Sequence, residues 1–140
     1  MTFSLSTRSI ERLRGVHPDL IKVVKLAITL TEVDFGVTEG IRTRERQREL
    51  VAKGASKTMN SRHITGHAVD LAAYLGTEVR WDWPLYMKLA NSMRLAAITE
   101  NVPIVWGGTW KLLNTSKPPF TLHKSFPDGP HFELLSSTYP

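Results

Sequence analysis

The run from Ser61 to Tyr74 restricts the fold more than any other stretch of this chain. Its first part, Ser61-Arg62-His63-Ile64-Thr65-Gly66-His67-Ala68-Val69-Asp70, sets two imidazoles and a carboxylate around one glycine. Its continuation is apolar. Val69, Leu71 and Ala73 alternate with Asp70 and Ala72, the period-two pattern of a strand. A turn at Thr65-Gly66 brings a loop histidine beside an aspartate on the strand that follows. A second polar cluster, Asp128-Gly129-Pro130-His131-Phe132-Glu133, lies near the C-terminus.

The segments around these clusters alternate helix with short strand. Residues from about Ser6 to Arg14 predict a short helix with Ile10 and Leu13 inward, closed by Gly15. His17-Pro18 opens a second helix, with proline at the first helical position. Leu20, Val23, Val24, Ala27 and Ile28 follow the i, i+3, i+4, i+7, i+8 spacing of a buried helical face. Phe35 to Thr38 predicts a strand. Thr43 caps a third helix, Arg44 to about Lys53, with Leu50, Val51 and Gln47 inward and Glu49–Lys53 as a supporting pair. Ala55 to Ser61 predicts a polar loop. Asp82-Trp83-Pro84 starts a last long helix ending near Glu100, with Leu85, Leu89, Met93, Ala96 and Ala97 buried. Pro103 to Trp106 predicts a strand turned by Gly107-Gly108. Thr109 to Pro127 predicts a long loop, and Pro130 to Leu135 a final strand. The expected fold class is α+β, one domain over residues 1–140, with a small antiparallel sheet packed against helices.

Composition narrows the chemistry. Cysteine is absent from the 140 residues, so disulfides are excluded and any metal has to be held by histidines and carboxylates. No apolar run approaches 18 residues, so no stable membrane insertion is expected. The first eight residues lack the charged-then-apolar order of a secretory signal, so accumulation in the cytoplasm is expected. The net charge of +5 and pI of about 9.7 favour anionic partners, nucleic acid or a cell-wall polymer alike. The basic helix carries Arg44, Arg46, Arg48 and Lys53, but Glu45 and Glu49 interrupt it and no aromatic residue is interleaved for base stacking. A solvated surface helix accounts for it, and no nucleic-acid partner is expected.

A hydrolytic metal site needs three protein ligands and one open position. The histidines available are His17, His63, His67, His123 and His131. Spacing of four would set His63 and His67 on one face of a helix. Gly66 between them and the extended residues that follow favour His63 with Asp70 instead, although spacing alone leaves the choice between the two histidines open. His131, on the closing strand, is the best third ligand. Asp128, three residues earlier, is placed to move a proton at such a centre. Arg42 is placed to supply positive charge to an oxyanion. Each residue also has an ordinary explanation: Pro-Asp-Gly-Pro is turn chemistry, Asp70 could pair with an arginine, and Trp106 and Trp110 could be core aromatics.

The arrangement Ser61-x-His63-x-x-Gly66-x-Ala68-x-Asp70 resembles the signature of a zinc peptidase superfamily. That group holds D-alanyl-D-alanine dipeptidases and carboxypeptidases and the L-alanyl-D-glutamate endopeptidases of bacteriophage endolysins. Asp128-x-x-His131 resembles its closing motif, and Glu39-Gly40-Ile41-Arg42-Thr43 and Trp106-Gly107-Gly108-Thr109-Trp110 are similar to stretches of the endolysin branch. The four stretches occur in the family's order over about residues 35 to 135. The resemblance implies His63, Asp70 and His131 as ligands of one Zn2+ at the sheet, Asp128 as general base and acid, Arg42 as the carbonyl-polarising group, and Ser61 and Trp110 as substrate contacts. His67 falls at a variable position of the motif and is a bystander. Thr109 departs from the pattern, since relatives often carry Asp there.

The expected function is hydrolysis of the L-alanyl-D-glutamate bond of bacterial peptidoglycan stem peptides by metal-activated water. A monomer is expected, moving from the host cytoplasm to the periplasm or cell wall once a holin opens the membrane. The alternatives are a D-alanyl-D-alanine carboxypeptidase with the same zinc site and a non-enzymatic basic binding module.

Overall fold

A computed structural model describes residues 2–56 and 58–140. Lys57, inside the polar loop expected over residues 55–61, lies outside the described residues. The chain forms α1 (Thr7–Arg12), α2 (Pro18–Leu30), β1 (Asp34–Glu39), α3 (Arg44–Ala52), β2 (Ala68–Leu75), β3 (Glu78–Arg80), α4 (Trp83–Glu100), β4 (Ile104–Trp106), β5 (Lys111–Leu112) and β6 (His131–Leu134). The α+β expectation holds. The strands run β1-β2-β6-β4-β5, with β3 also on β2, and every pairing is antiparallel. Among the described residues no helix is long and apolar enough to cross a membrane.

The core lies on one face of this sheet. Leu20, Val23, Val24, Ala27 and Ile28 of α2 are all buried, as the helical period requires. They share a core with Leu89, Met93, Ala96 and Ala97 of α4 and with Val69, Leu71, Ala73, Phe132 and Leu134 of the sheet. Burial of each large side chain there contributes about 1.5–3 kcal/mol relative to exposure. Because side chains alternate along a strand, the residues between these point to the opposite face. That face carries Asp70, His131 and Glu133.

Three local expectations need correction. In α1, Ile10 is 50% exposed and Ser9 is buried instead. Leu13 is buried as expected, and the Ser9 hydroxyl accepts from Val37 N–H at 2.9 Å, so a polar tie to β1 joins the apolar contact that docks this segment. In α3, Leu50 and Val51 are only half-buried and Gln47 is the one fully buried side chain. Its ion pair is Arg46–Glu49, at 3.2 Å, where Glu49–Lys53 was expected. In α4, Leu85 is half-buried and Tyr86 takes its place in the core. The short strands β3 and β5 were not expected. Two residues of β5 pair inside the long loop over 109–127 and start it back across β4.

Candidate active site

Register builds the site. Asp70 of β2 stands opposite Glu39 of β1 on one side and opposite His131 of β6 on the other. Three chemically active side chains are thereby aligned across three strands. His63 enters from the loop before β2, where the turn at Gly66 reverses the chain. Gly66 has a φ of +77°, and a Cβ there would lie 2.5 Å from the Gly15 carbonyl oxygen, so glycine is required twice over.

His63, Asp70 and His131 each offer one ligand atom, all within 4.8 Å of one another. His63 Nε2 stands 3.2 Å from Asp70 Oδ1, and His131 Nδ1 stands 3.4 Å from the same oxygen. Both imidazoles are buried. Each is fixed by its remote nitrogen: His63 Nδ1 meets the Gly40 carbonyl oxygen at 2.9 Å, and His131 Nε2 meets Glu133 Oε1 at 2.8 Å. The inner nitrogens are therefore free to act as acceptors when the outer ones carry protons. Asp70 Oδ1 is buried and receives no well-directed hydrogen bond. The cluster can hold a metal ion.

Burial and charge pairing set the electrostatics of the cluster. Burial acts on Asp70 most strongly and would raise its pKa, but the two facing imidazoles outweigh it and hold the carboxyl well below the usual range. Burial likewise disfavours charge on His131, yet Asp70 and Glu133 together lift it to about 9. Asp128 reaches solvent at the cleft rim. Loss of surrounding water raises its pKa, the nearby Asp70 charge adds to this, and His131, His63 and Arg42 oppose it.

Asp128 is held by backbone alone. Its N–H donates to the Gly107 carbonyl at 2.9 Å, and its own carbonyl accepts from His131 N–H at 3.3 Å. A Cβ at Gly107 would overlap the Asp128 carbonyl oxygen, so the Gly107-Gly108 turn is pressed against the Asp128 turn. Arg42 is clamped. Its Nε and Nη2 donate to both Glu39 oxygens at 2.7 and 2.6 Å, and its Nη1 donates to Gln47 Oε1 at 2.7 Å. Nη2 also lies 4.0 Å from Asp70 Oδ2. The Ser61 hydroxyl accepts from His63 N–H at 3.2 Å and from Arg42 Nη1 at 3.4 Å, spacing the two. Trp110 has a φ of 54°, a strained value for a bulky residue, and its ring centre lies 5.3 Å from that of His131. Its indole N–H donates to Phe126 O at 2.9 Å. All seven residues singled out in the sequence line one cleft of about 440 Å³.

The remaining histidines stand apart from the centre. His17 caps α2, its Nδ1 accepting from Asp19 N–H at 3.1 Å. His67 Nδ1 meets the Thr65 hydroxyl at 2.6 Å, and His123 Nδ1 accepts from Ser125 N–H at 3.2 Å. Thr109 is buried, and its hydroxyl accepts from Lys111 N–H at 3.3 Å, a local turn bond. Sequence reasoning missed Glu39, Gln47, Glu133 and Arg62. Arg62 ties the site to the C-terminal segment, donating to Leu134 O at 3.3 Å and Tyr139 O at 2.5 Å and facing Glu133 at 3.8 Å. Glu133 carried a readable signal, since i and i+2 share a face on a strand and His131 sits at i.

Comparison with known proteins gives the same picture. The family model described as Phage L-alanyl-D-glutamate peptidase matches residues 1–135. A protein of Escherichia phage T5 named L-alanyl-D-glutamate peptidase is 28% identical over 139 residues, which is 96% of this chain and 100% of that one. A Listeria phage A118 protein of the same name is 32% identical over 107 residues, 76% of this chain but only 32% of that longer protein. The crystal structure of Serratia marcescens L-Ala D-Glu endopeptidase ChiX matches with a TM-score of 0.84 at 43% identity, covering 100% of this chain and 94% of that one. On its sequence over nearly its whole length, the chain belongs to the phage L-alanyl-D-glutamate peptidase family.

Proposed function

We propose that this protein is a zinc endopeptidase that hydrolyses the L-alanyl-D-glutamate bond in the stem peptide of bacterial peptidoglycan. The observation that carries the reading is the His63–Asp70–His131 cluster in a chain of this family. Two imidazoles and a carboxylate without thiolate suit zinc. The two imidazole nitrogens stand 3.2 and 3.4 Å from Asp70 Oδ1, near the roughly 3.3 Å that separates two ligands of a tetrahedral ion with bonds of about 2.0–2.1 Å, and all three atoms lie within 4.8 Å of one another. The buried Asp70 Oδ1 is an acceptor that the protein itself does not satisfy.

When bound, zinc supplies a Lewis acid that activates water and polarises a carbonyl. His63, Asp70 and His131 would hold it, and the remote bonds to Gly40 and Glu133 keep both imidazoles turned inward. Asp128 takes a proton from the attacking water and returns it to the leaving amine. Its raised pKa suits a group that must both accept and give a proton. Arg42, rigid against Glu39 and Gln47, keeps a fixed positive charge beside the centre as the carbonyl oxygen becomes negative. Ser61 and Trp110 form walls for the substrate chain. A carboxypeptidase on a D-alanyl-D-alanine end would need a cation for the terminal carboxylate. Arg42 and Arg62, the arginines of the cleft, are both engaged within the protein, which supports internal cleavage.

Digestion of purified peptidoglycan with and without a chelator, followed by mass spectrometry, tests the reading. Fragments with a new N-terminal D-glutamate are expected, and only in the metal-replete sample. Release of free D-alanine alone would indicate the carboxypeptidase. Glu133 has its own expected effect. Glu133→Ala should weaken zinc binding about 10–100-fold in a chelator competition, the usual scale for a partner of a metal-bound histidine. Unchanged affinity would remove Glu133 from the site.

A further inference from the structure

Trp81 has no role in the core. It lies between β3 and the N-cap of α4 and is 61% exposed, the most exposed large hydrophobic side chain among the described residues. An indole in water forgoes the stabilisation that burial would bring. The ring nonetheless has ordered neighbours. The Arg80–Asp82 ion pair at 2.6 Å links the residues on either side of it. Below it lies Tyr86, parallel within 7° and 6.2 Å away between ring centres. Tyr86 is itself buried, and its hydroxyl accepts from Ala73 N–H of β2 at 3.4 Å.

In front of Trp81 is a cleft of about 200 Å³ walled by Trp83, Tyr86, Pro127, Asp128 and Pro130. Asp128 also lines the cleft of the metal cluster, so the two clefts share that residue. The join is rigid. A Cβ at Gly129 would come within 3.1 Å of the Trp83 ring and 3.3 Å of the Tyr86 ring, so the Asp128-Gly129 turn rests directly on these aromatics. Trp106 Nε1–H donates to the Gly129 carbonyl at 2.8 Å from the core side.

We infer that this aromatic cleft is a subsite for a sugar ring of the peptidoglycan glycan chain, with Trp81 as its stacking platform. The inference rests on the peptidoglycan reading above. In that substrate the alanine of the scissile bond is acylated by the lactyl group of an amino sugar. A pyranose therefore sits one residue and a short linker from the reacting carbonyl, on the order of 7–10 Å at 3.3–3.6 Å per residue. The rest of the stem peptide offers methyl groups and charged groups but no ring. A pyranose has a flat face of C–H bonds and a rim of hydroxyls. An exposed indole aligned with the Tyr86 ring matches the first and leaves the second in water.

Two substrates with the same stem peptide separate the possibilities, one still carrying its disaccharide and one freed of sugar. Trp81→Ala should lower kcat/KM about tenfold on the glycosylated substrate, chiefly through KM, the scale for truncating one aromatic anchor. It should leave the sugar-free peptide unchanged. Trp81→Tyr, which keeps a flat ring, should recover most of the loss. Equal losses on both substrates would assign Trp81 a scaffold role and overturn the subsite, as would no loss on either. A direct titration covers failure of the hydrolase reading itself. Asp128→Asn protein should bind the disaccharide-peptide about tenfold more tightly than the free peptide, and adding Trp81→Ala should abolish the difference. If the wild type cleaves neither substrate, the endopeptidase reading falls while this titration still decides the subsite. Equal binding of the two ligands would overturn it.

Discussion

His63→Ala should abolish zinc binding and hydrolysis together, with activity lost by about 10³-fold or more, because a Lewis acid supplies several kcal/mol to such a step. The expectation follows from how His63 is held. Its Nδ1 is committed to the Gly40 carbonyl and its Nε2 can face only Asp70. No other histidine can replace it, since His67 is tied to Thr65 and turned away. Removing the ring leaves Asp70 and His131 with two ligand atoms where a firm site needs three. Metal content by elemental analysis and turnover on peptidoglycan should therefore fall in parallel. Circular dichroism should show that the fold persists, since the core helices α2 and α4 pack on the opposite face of the sheet. Full zinc content with full activity in this variant would refute the assignment of the centre.

Asp128→Asn separates chemistry from metal binding. The variant should retain zinc and lose turnover about 10²–10⁴-fold, the usual span for a general base. Asparagine suits the same turn, and both backbone bonds that hold residue 128 are independent of its side chain. The proton-accepting oxygen alone is lost. Near-normal rates would exclude Asp128 from the mechanism, whereas joint loss of zinc would make it a ligand.

Legibility in the sequence followed the range of the interactions. α2 was readable in full because one helical period fixes which residues are buried. The nearness of a loop histidine to Asp70 is readable because a single glycine turn joins the loop to the strand. In α3 the inward position of Gln47 holds, but Leu50 and Val51 stay half-buried because the helix docks through that polar residue instead: its amide meets Arg42, Ser56 and Thr58. Nothing local announces such a network. Ile10 was misplaced for a similar reason, since Ser9 helps dock α1 through a hydrogen bond to a strand far along the chain. The clamp on Arg42 and the tie from Arg62 to the C-terminal segment likewise depend on how remote segments meet. Spacing alone did not choose between His63 and His67. In the folded chain it is His63 whose Nε2 comes to 3.2 Å from Asp70, beside the strand position where Asp70 and His131 stand opposite each other.

The pairing of β2 with β6 has a consequence for quality control of the folded chain. A slip of β6 by one residue against β2 would swing His131 and Glu133 to the far face and bring Phe132 to Asp70. The slipped sheet could keep much of its hydrogen bonding, but it would have neither a third ligand nor that ligand's support. Competence to bind metal therefore reports correct strand alignment, and it arises only after distant parts of the chain have paired. A misaligned molecule would be catalytically silent rather than merely slow.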